Sequence, residues 1–110
     1  MIDLTKLEKL LNGNEKMINR FIEIFKTQTP EQLATLVNAV AIEDWPQASI
    51  TAHAIKSQCR YLGLDEIAED AFKIEQLAER QEQLHLLPGL TVMLQSKVMD
   101  VVNHSFRTNR

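Results

Sequence analysis

Residues 44–63 have the sequence DWPQASITAHAIKSQCRYLG, which contains the start, the faces and the end of one helix. Asp44 followed three residues later by Gln47 is typical of a helix N-terminus. Gly63 is typical of the residue just after a helix, because glycine readily adopts the left-handed conformation needed there. The pattern therefore predicts a helix from about Trp45 to Leu62.

Two helices are predicted before this stretch. The spacing of Leu4, Leu7 and Leu11 indicates a short amphipathic helix that ends at residues 12–14. Apolar residues then recur at intervals of three and four over residues 18–40. Because this stripe keeps its phase past Pro30, we expect one long helix kinked at the proline. The alternative is a fresh capping box at residues 29–32.

Two more helices are predicted after Gly63. Asp65 is expected to cap the first, which carries apolar residues between positions 67 and 78 and fades in the polar run at 79–83. Pro88 opens the last helix. Four long helices joined by short loops predict an all-α fold: an antiparallel up-down-up-down four-helix bundle with a short extra N-terminal helix at one end.

Composition limits the classes of protein to consider. A chain of 110 residues is expected to form a single domain over residues 1–110. A net charge of −3, with basic residues scattered among acids, argues against nucleic-acid binding. The lone Cys59, the lack of a leader pattern and the lack of an apolar run long enough for a bilayer favour a cytoplasmic protein without membrane contact.

A helical wheel places His53 on the side of its helix opposite the predicted core. The core positions are Ala48, Ile55, Cys59 and Leu62, whereas the residues nearest the histidine are Ser49, Lys56, Ser57 and Arg60. Histidine changes charge near neutral pH, and its neutral ring carries a nucleophilic nitrogen. We therefore interpret His53 as an exposed nucleophile.

Lys56 and Ser57 lie one turn beyond His53 on the same face. They are placed to offer an ammonium and a hydroxyl to a dianion on the ring nitrogen, and a small residue at 57 leaves the imidazole open to a partner. We expect Lys56 to be exposed, so that its replacement by alanine leaves the fold intact.

An apolar strip is predicted beside His53. Ile50, Ala54 and Tyr61 form it, either as the seam with a neighbouring helix or as a docking surface. Arg60 is interpreted either as a contact for an acidic partner surface or as a solvated charge.

Glu75 is expected at the height of His53. The turn at Gly63 sends the next helix back antiparallel, and His53 lies ten residues before this glycine and Glu75 twelve after it. A carboxylate in a stripe of alanines is unusual unless it has a partner. If it accepted the Nδ1 hydrogen of His53, it would fix the tautomer and leave Nε2 as the attacking atom.

Four short segments, Ala52-His53, Lys56-Ser57, Leu62-Gly63 and Ile74-Glu75, resemble the motif of the histidine-containing phosphotransfer (HPt) domains of bacterial two-component phosphorelays. The resemblance covers nearly the whole chain. It implies that His53 takes a phosphoryl group from a receiver-domain aspartate or a kinase and passes it to another receiver aspartate. Lys56 would be the cation beside the phosphate, and Glu75 the residue that hydrogen-bonds the imidazole. Ser57 departs from the glycine that is common after this lysine.

The resemblance also implies a phosphate carrier rather than a turnover enzyme. The expected partners are response-regulator receiver domains, with a hybrid sensor histidine kinase as an alternative donor. No cofactor or metal is expected in this chain, and Mg²⁺ is expected in the partner receiver. The expected partner-binding residues are Ser49, Ile50, Ala54, Arg60 and Tyr61, on a monomer.

Three other interpretations are less consistent with the sequence. Glu82 and His85 have the spacing of a di-iron carboxylate motif, but that site needs two such pairs. The dimerising domain of a sensor kinase typically has an acid directly after its histidine, where this chain has Ala54. A helical-bundle interaction module without phosphotransfer activity would leave His53 incidental.

Overall fold

Every regular element that the computed structural model describes, over residues 2–104, is helical. The helices are α1 (Thr5–Leu10), α2 (Glu15–Ala41), α3 (Trp45–Tyr61), α4 (Asp65–Arg80) and α5 (Leu87–His104), with a 3₁₀ turn at Leu84–Leu86. The predicted all-α class is confirmed. None of these helices between residues 2 and 104 has the length and apolar content of a membrane span.

The four long helices enclose one hydrophobic core. Each packs against the next along the chain, and α5 returns to pack against α2, so the four form a closed ring. Its most deeply buried large side chains include Phe25, Leu33, Leu36, Ile55, Leu62, Ile74, Leu94 and Val98. This is the predicted four-helix bundle with a short N-terminal helix.

Helix α2 continues through Pro30 without a break, as the phase of its apolar stripe predicted. The alternative start at residues 29–32 is wrong, since the Thr29 hydroxyl is buried and donates a hydrogen bond to Gln58 Oε1 of α3 at 3.0 Å. A side chain engaged between helices does not cap a new one. The kink at Pro30 stays a prediction.

Helix α3 begins and ends close to the predicted residues. Asp44 is its N-cap, with the backbone N–H of Gln47 donating to Oδ1 at 3.2 Å. Leu62 is the C-cap and Gly63 follows with a φ of +72°. The helix therefore presents the predicted faces.

The prediction that Asp65 caps α4 is wrong. Leu64 occupies the N-cap position, and no side chain there bonds the first turn. Leu64 is 2% exposed, and its burial in the core accounts for a helix that starts one residue earlier than expected. Asp65 instead lies in the first turn, where the positive end of the helix dipole stabilises a carboxylate.

The N-terminal segment covers the end of α3. The Asp3 N–H donates to the Leu62 carbonyl at 2.9 Å, and Leu7 of α1 is buried in the core at 1% exposure. Asp3 approaches Gly63 so closely that a Cβ on this glycine would lie 2.5 Å from the Asp3 Cβ. Glycine is therefore required at 63 for two reasons, its backbone conformation and this contact.

We expect Gly63→Ala to lower the free energy of unfolding by about 1–3 kcal/mol, because alanine at positive φ is strained and its methyl group displaces Asp3. Chemical denaturation would measure this. Gly89→Ala is the matched control, since Gly89 lies within α5 with nothing within 4 Å of an added Cβ. It should be neutral or stabilising, and equal losses in both variants would contradict this explanation.

Candidate functional site

His53 lies in the middle of α3 with its imidazole turned outward. The side chain is 59% exposed, as the helical wheel predicted. Its Nδ1 lies 2.8 Å from Glu75 Oε2 on α4. The count of residues from Gly63 therefore predicted correctly that the side chains of His53 and Glu75 meet.

Glu75 has a second partner on α3. Its other oxygen, Oε1, accepts a hydrogen bond from Lys56 Nζ at 2.8 Å, and the carboxylate is only 14% exposed. Burial by itself would raise the pKa of Glu75, but the hydrogen bonds and charges of Lys56 and His53 outweigh it and hold the pKa below its ordinary value. The carboxylate is thus ionised at neutral pH.

An ionised Glu75 determines the tautomer of His53. A carboxylate has no proton to donate, so the 2.8 Å contact requires the hydrogen to be on Nδ1. In the neutral ring, Nε2 then carries the lone pair. The site therefore has one nitrogen occupied by Glu75 and one available as a nucleophile.

The expectation that Lys56 is exposed is wrong. The side chain is 10% exposed, and the ammonium lies 4.7 Å from the centroid of the Phe72 ring of α4. Burial is tolerated because the charge is paired with Glu75 and rests on an aromatic face. Lys56→Ala would therefore disturb the α3–α4 contact rather than leave the fold untouched.

Arg60, like Lys56, contacts an acidic residue and the Phe72 ring of α4. Its guanidinium donates to Glu69 Oε2 at 3.1 Å, and Cζ lies 6.0 Å from the centroid of the Phe72 ring. It is partly buried, so the solvated interpretation is incomplete. Ser57 and Ser49, also partly buried, are on α3 one turn to either side of His53.

Comparison with known proteins identifies the family. The Hpt domain family model matches residues 20–101, about three quarters of the 110-residue chain. The chain belongs to the Hpt domain family. Searches of curated proteins and of solved structures returned no match. In Hpt domains a histidine carries a phosphoryl group within a phosphorelay.

The apolar strip of this Hpt domain is on its surface. Ile50 is 66% exposed and Tyr61 38% exposed, while Ala54 is partly buried between them. The Tyr61 ring contacts the edge of Phe21 of α2, with centroids 5.9 Å apart. The strip is thus anchored to α2 at one end and open to solvent at the other.

A shallow groove extends the strip on the N-terminal side of His53. Its lining includes Trp45, Pro46, Ser49, Ile50 and Ala78. Two of the predicted partner-binding residues, Ser49 and Ile50, therefore line a groove between α3 and the end of α4. The site is therefore flanked by apolar surface in both directions along α3.

Phe72, Glu69 and Phe21 were missed as site residues by sequence reasoning. Phe72 was counted only among the apolar residues between positions 67 and 78, yet it is partly buried and its ring lies against the Lys56 ammonium. One signal was present: Glu69, Phe72 and Glu75 recur every three residues on α4, which places them along one side of the helix. Nothing comparable indicated Phe21.

The di-iron interpretation lacks its structural basis. Glu82 follows α4 outside any helix, whereas His85 is in the 3₁₀ turn, so the pair does not share a helical face. Within residues 2–104 no three His, Cys, Asp or Glu side chains are grouped as a metal site requires.

Cys59 is buried in the core, as predicted. Its burial raises the pKa of the thiol to about 12, so the thiol stays protonated at neutral pH.

The lowered pKa of Glu75 makes a prediction about acid stability. A group whose pKa falls on folding stabilises the fold fully above its ordinary value, here 4.5, and loses this contribution as the pH drops through the lowered value. The stability advantage of the wild type over Glu75→Gln should therefore shrink as the pH falls below 4.5 and Glu75 becomes protonated. Urea denaturation at several pH values measures it, and Glu79→Gln controls for the loss of an exposed carboxylate on the same helix. An advantage that grows in acid would contradict this.

Proposed function

We propose that this Hpt domain carries a phosphoryl group on Nε2 of His53, taking it from one receiver-domain aspartate and giving it to another. The observation that supports this most directly is the Glu75 contact at Nδ1, which leaves the second nitrogen of an outward-facing ring as the nucleophile. Membership of the family supports the reaction class.

The transfer step balances without a separate base. The Nε2 lone pair attacks phosphorus in line, the bond between phosphorus and the aspartyl oxygen breaks, and its electrons return to the partner's carboxylate. The imidazole gains one positive charge and keeps its Nδ1 hydrogen. Glu75, already hydrogen-bonded to that hydrogen, offsets the new charge, and the reverse steps return the phosphoryl group.

Lys56 supplies the charge that faces the phosphoryl group. Its ammonium is one turn from His53 and is held by Glu75, so a dianion on Nε2 meets a positioned cation. Ser57, on the same side of α3, offers a hydroxyl. Mg²⁺ belongs to the acidic pocket of the partner receiver. The domain acts as a carrier, in the cytoplasm, without independent turnover.

The receiver docks on the apolar strip of Ile50, Ala54 and Tyr61, with Ser49 and Arg60 at its edges. The exposed Ile50 and Tyr61 flank His53 on α3, so a partner that reaches the imidazole covers them. Burial of such side chains supplies affinity, while the polar residues orient the partner.

We expect His53→Gln to abolish phosphoryl acceptance and to leave the fold intact, because the exposed imidazole is not part of the core. The measurement is transfer of ³²P from a phosphorylated receiver, with circular dichroism for the fold. His85→Gln, an exposed histidine outside the four long helices, is the matched control and should accept label normally.

Label retained in His53→Gln would refute the assignment. Receiver binding by the wild type without any label on His53 would instead favour the interaction module.

For the docking surface, we expect Ile50→Glu to raise the receiver concentration at half-maximal rate about tenfold, because an interface anchor is lost. The maximal rate should change little. Val92→Glu is the control, since Val92 is also an exposed aliphatic residue, at 54%, but lies on α5, which packs on α2 and α4. Stopped-flow transfer kinetics separate the two parameters, and equal effects of both variants would exclude this surface.

A further inference from the structure

Phe72 makes contacts that a side chain recruited only for core packing would not need. It is partly buried on α4, one turn before Glu75. Its ring lies 4.7 Å from Lys56 Nζ and 6.0 Å from Arg60 Cζ, so two cations of α3 share one aromatic ring. Both distances are within the range of cation–π attraction.

The side chains of α3 and α4 that surround Phe72 are complementary in charge. Helix α4 presents an acid, an aromatic ring and an acid at Glu69, Phe72 and Glu75. Helix α3 presents Arg60 to the first acid and Lys56 and His53 to the second. The ring therefore lies next to two ion pairs and contacts the cation of each one.

We propose that Phe72 is a positioning residue for phosphoryl transfer, which it affects by holding the Lys56 ammonium beside His53. The inference rests on the proposed function. An ammonium has three N–H donors, and Glu75 takes one of them. The face of a ring attracts the charge without a strong acceptor, so a donor stays available to a phosphoryl oxygen.

A polar residue at 72 would serve the phosphoryl group less well. A carboxylate there would accept a further N–H of Lys56 and add a negative charge beside the incoming dianion. An aliphatic residue would fill the space without attracting the ammonium, which would then depend on Glu75 alone. An aromatic ring combines packing with attraction and adds no net charge.

A double-mutant cycle between Phe72 and Lys56 tests this proposal. Phe72→Leu should lower the maximal rate of transfer about threefold to tenfold, the range expected for a partly desolvated cation–π contact. Phe72→Tyr keeps the ring face and should restore the rate. In a Lys56→Met background, Phe72→Leu should change the rate by less than about twofold, because the residue through which it acts is gone.

Two controls separate this role from general packing. Leu90→Ala removes a partly buried side chain from α5 and should leave the rate unchanged while lowering the melting temperature. Proton NMR of the Lys56 side chain reports the contact directly: ring-current shifts of its methylene protons should disappear in Phe72→Leu and persist in Phe72→Tyr.

The outcomes are distinguishable. If the wild type accepts phosphoryl groups but the two substitutions multiply independently, or if Phe72→Tyr is as slow as Phe72→Leu, Phe72 is a packing residue and the positioning role is overturned. If the wild type accepts no label from any receiver, the proposed function itself fails. In that case the NMR shifts still decide whether the ring holds the ammonium.

Discussion

The carboxylate of Glu75 joins the two side chains on which the site depends, giving one oxygen to His53 and the other to Lys56. This arrangement requires α3 and α4 to lie close together. Ala68, Ala71 and Ala78 on α4 are all at most 1% exposed, and their small side chains permit that approach. The arrangement of side chains around His53 therefore depends on the close packing of α3 and α4.

Pairing also explains how a charged residue can be buried at this position. An isolated ammonium at 10% exposure would be costly, and so would an isolated carboxylate at 14%. The ammonium and the carboxylate compensate each other's charge, and the pKa of Glu75 is lowered because attraction by Lys56 and His53 outweighs the desolvation of this carboxylate. Partial exclusion of water strengthens these interactions, which keeps both groups oriented without a ligand.

Most of the fold and part of the site could be predicted from the spacing of apolar residues and from the residues that begin and end helices. The stripe through Pro30, the cap at Asp44 and the turn at Gly63 are local signals, and counting from that turn located Glu75 opposite His53. Such counting gives height along a helix but not the path of a long side chain. Lys56 was therefore expected in solvent, although its stem reaches across to α4.

The cap at Asp65 failed for a related reason. Sequence preference favoured the acid, but burial of Leu64 fixed the start of the helix. Tertiary packing outweighed local propensity there. The role of Phe72 was missed because its partners, Lys56 and Arg60, belong to another helix, and single-sequence patterns carry little information about such pairs.

The contact of Asp3 with Leu62 has a practical consequence for anyone who wishes to shorten this protein. The family match starts at residue 20, which would suggest trimming everything before it. A chain that began at residue 20 would lack the buried Leu7 and the Asp3 N–H that donates to the Leu62 carbonyl, at the C-terminal end of the helix that carries His53. Residues 2–19 therefore support the end of α3, and any shortened version of the protein should retain them.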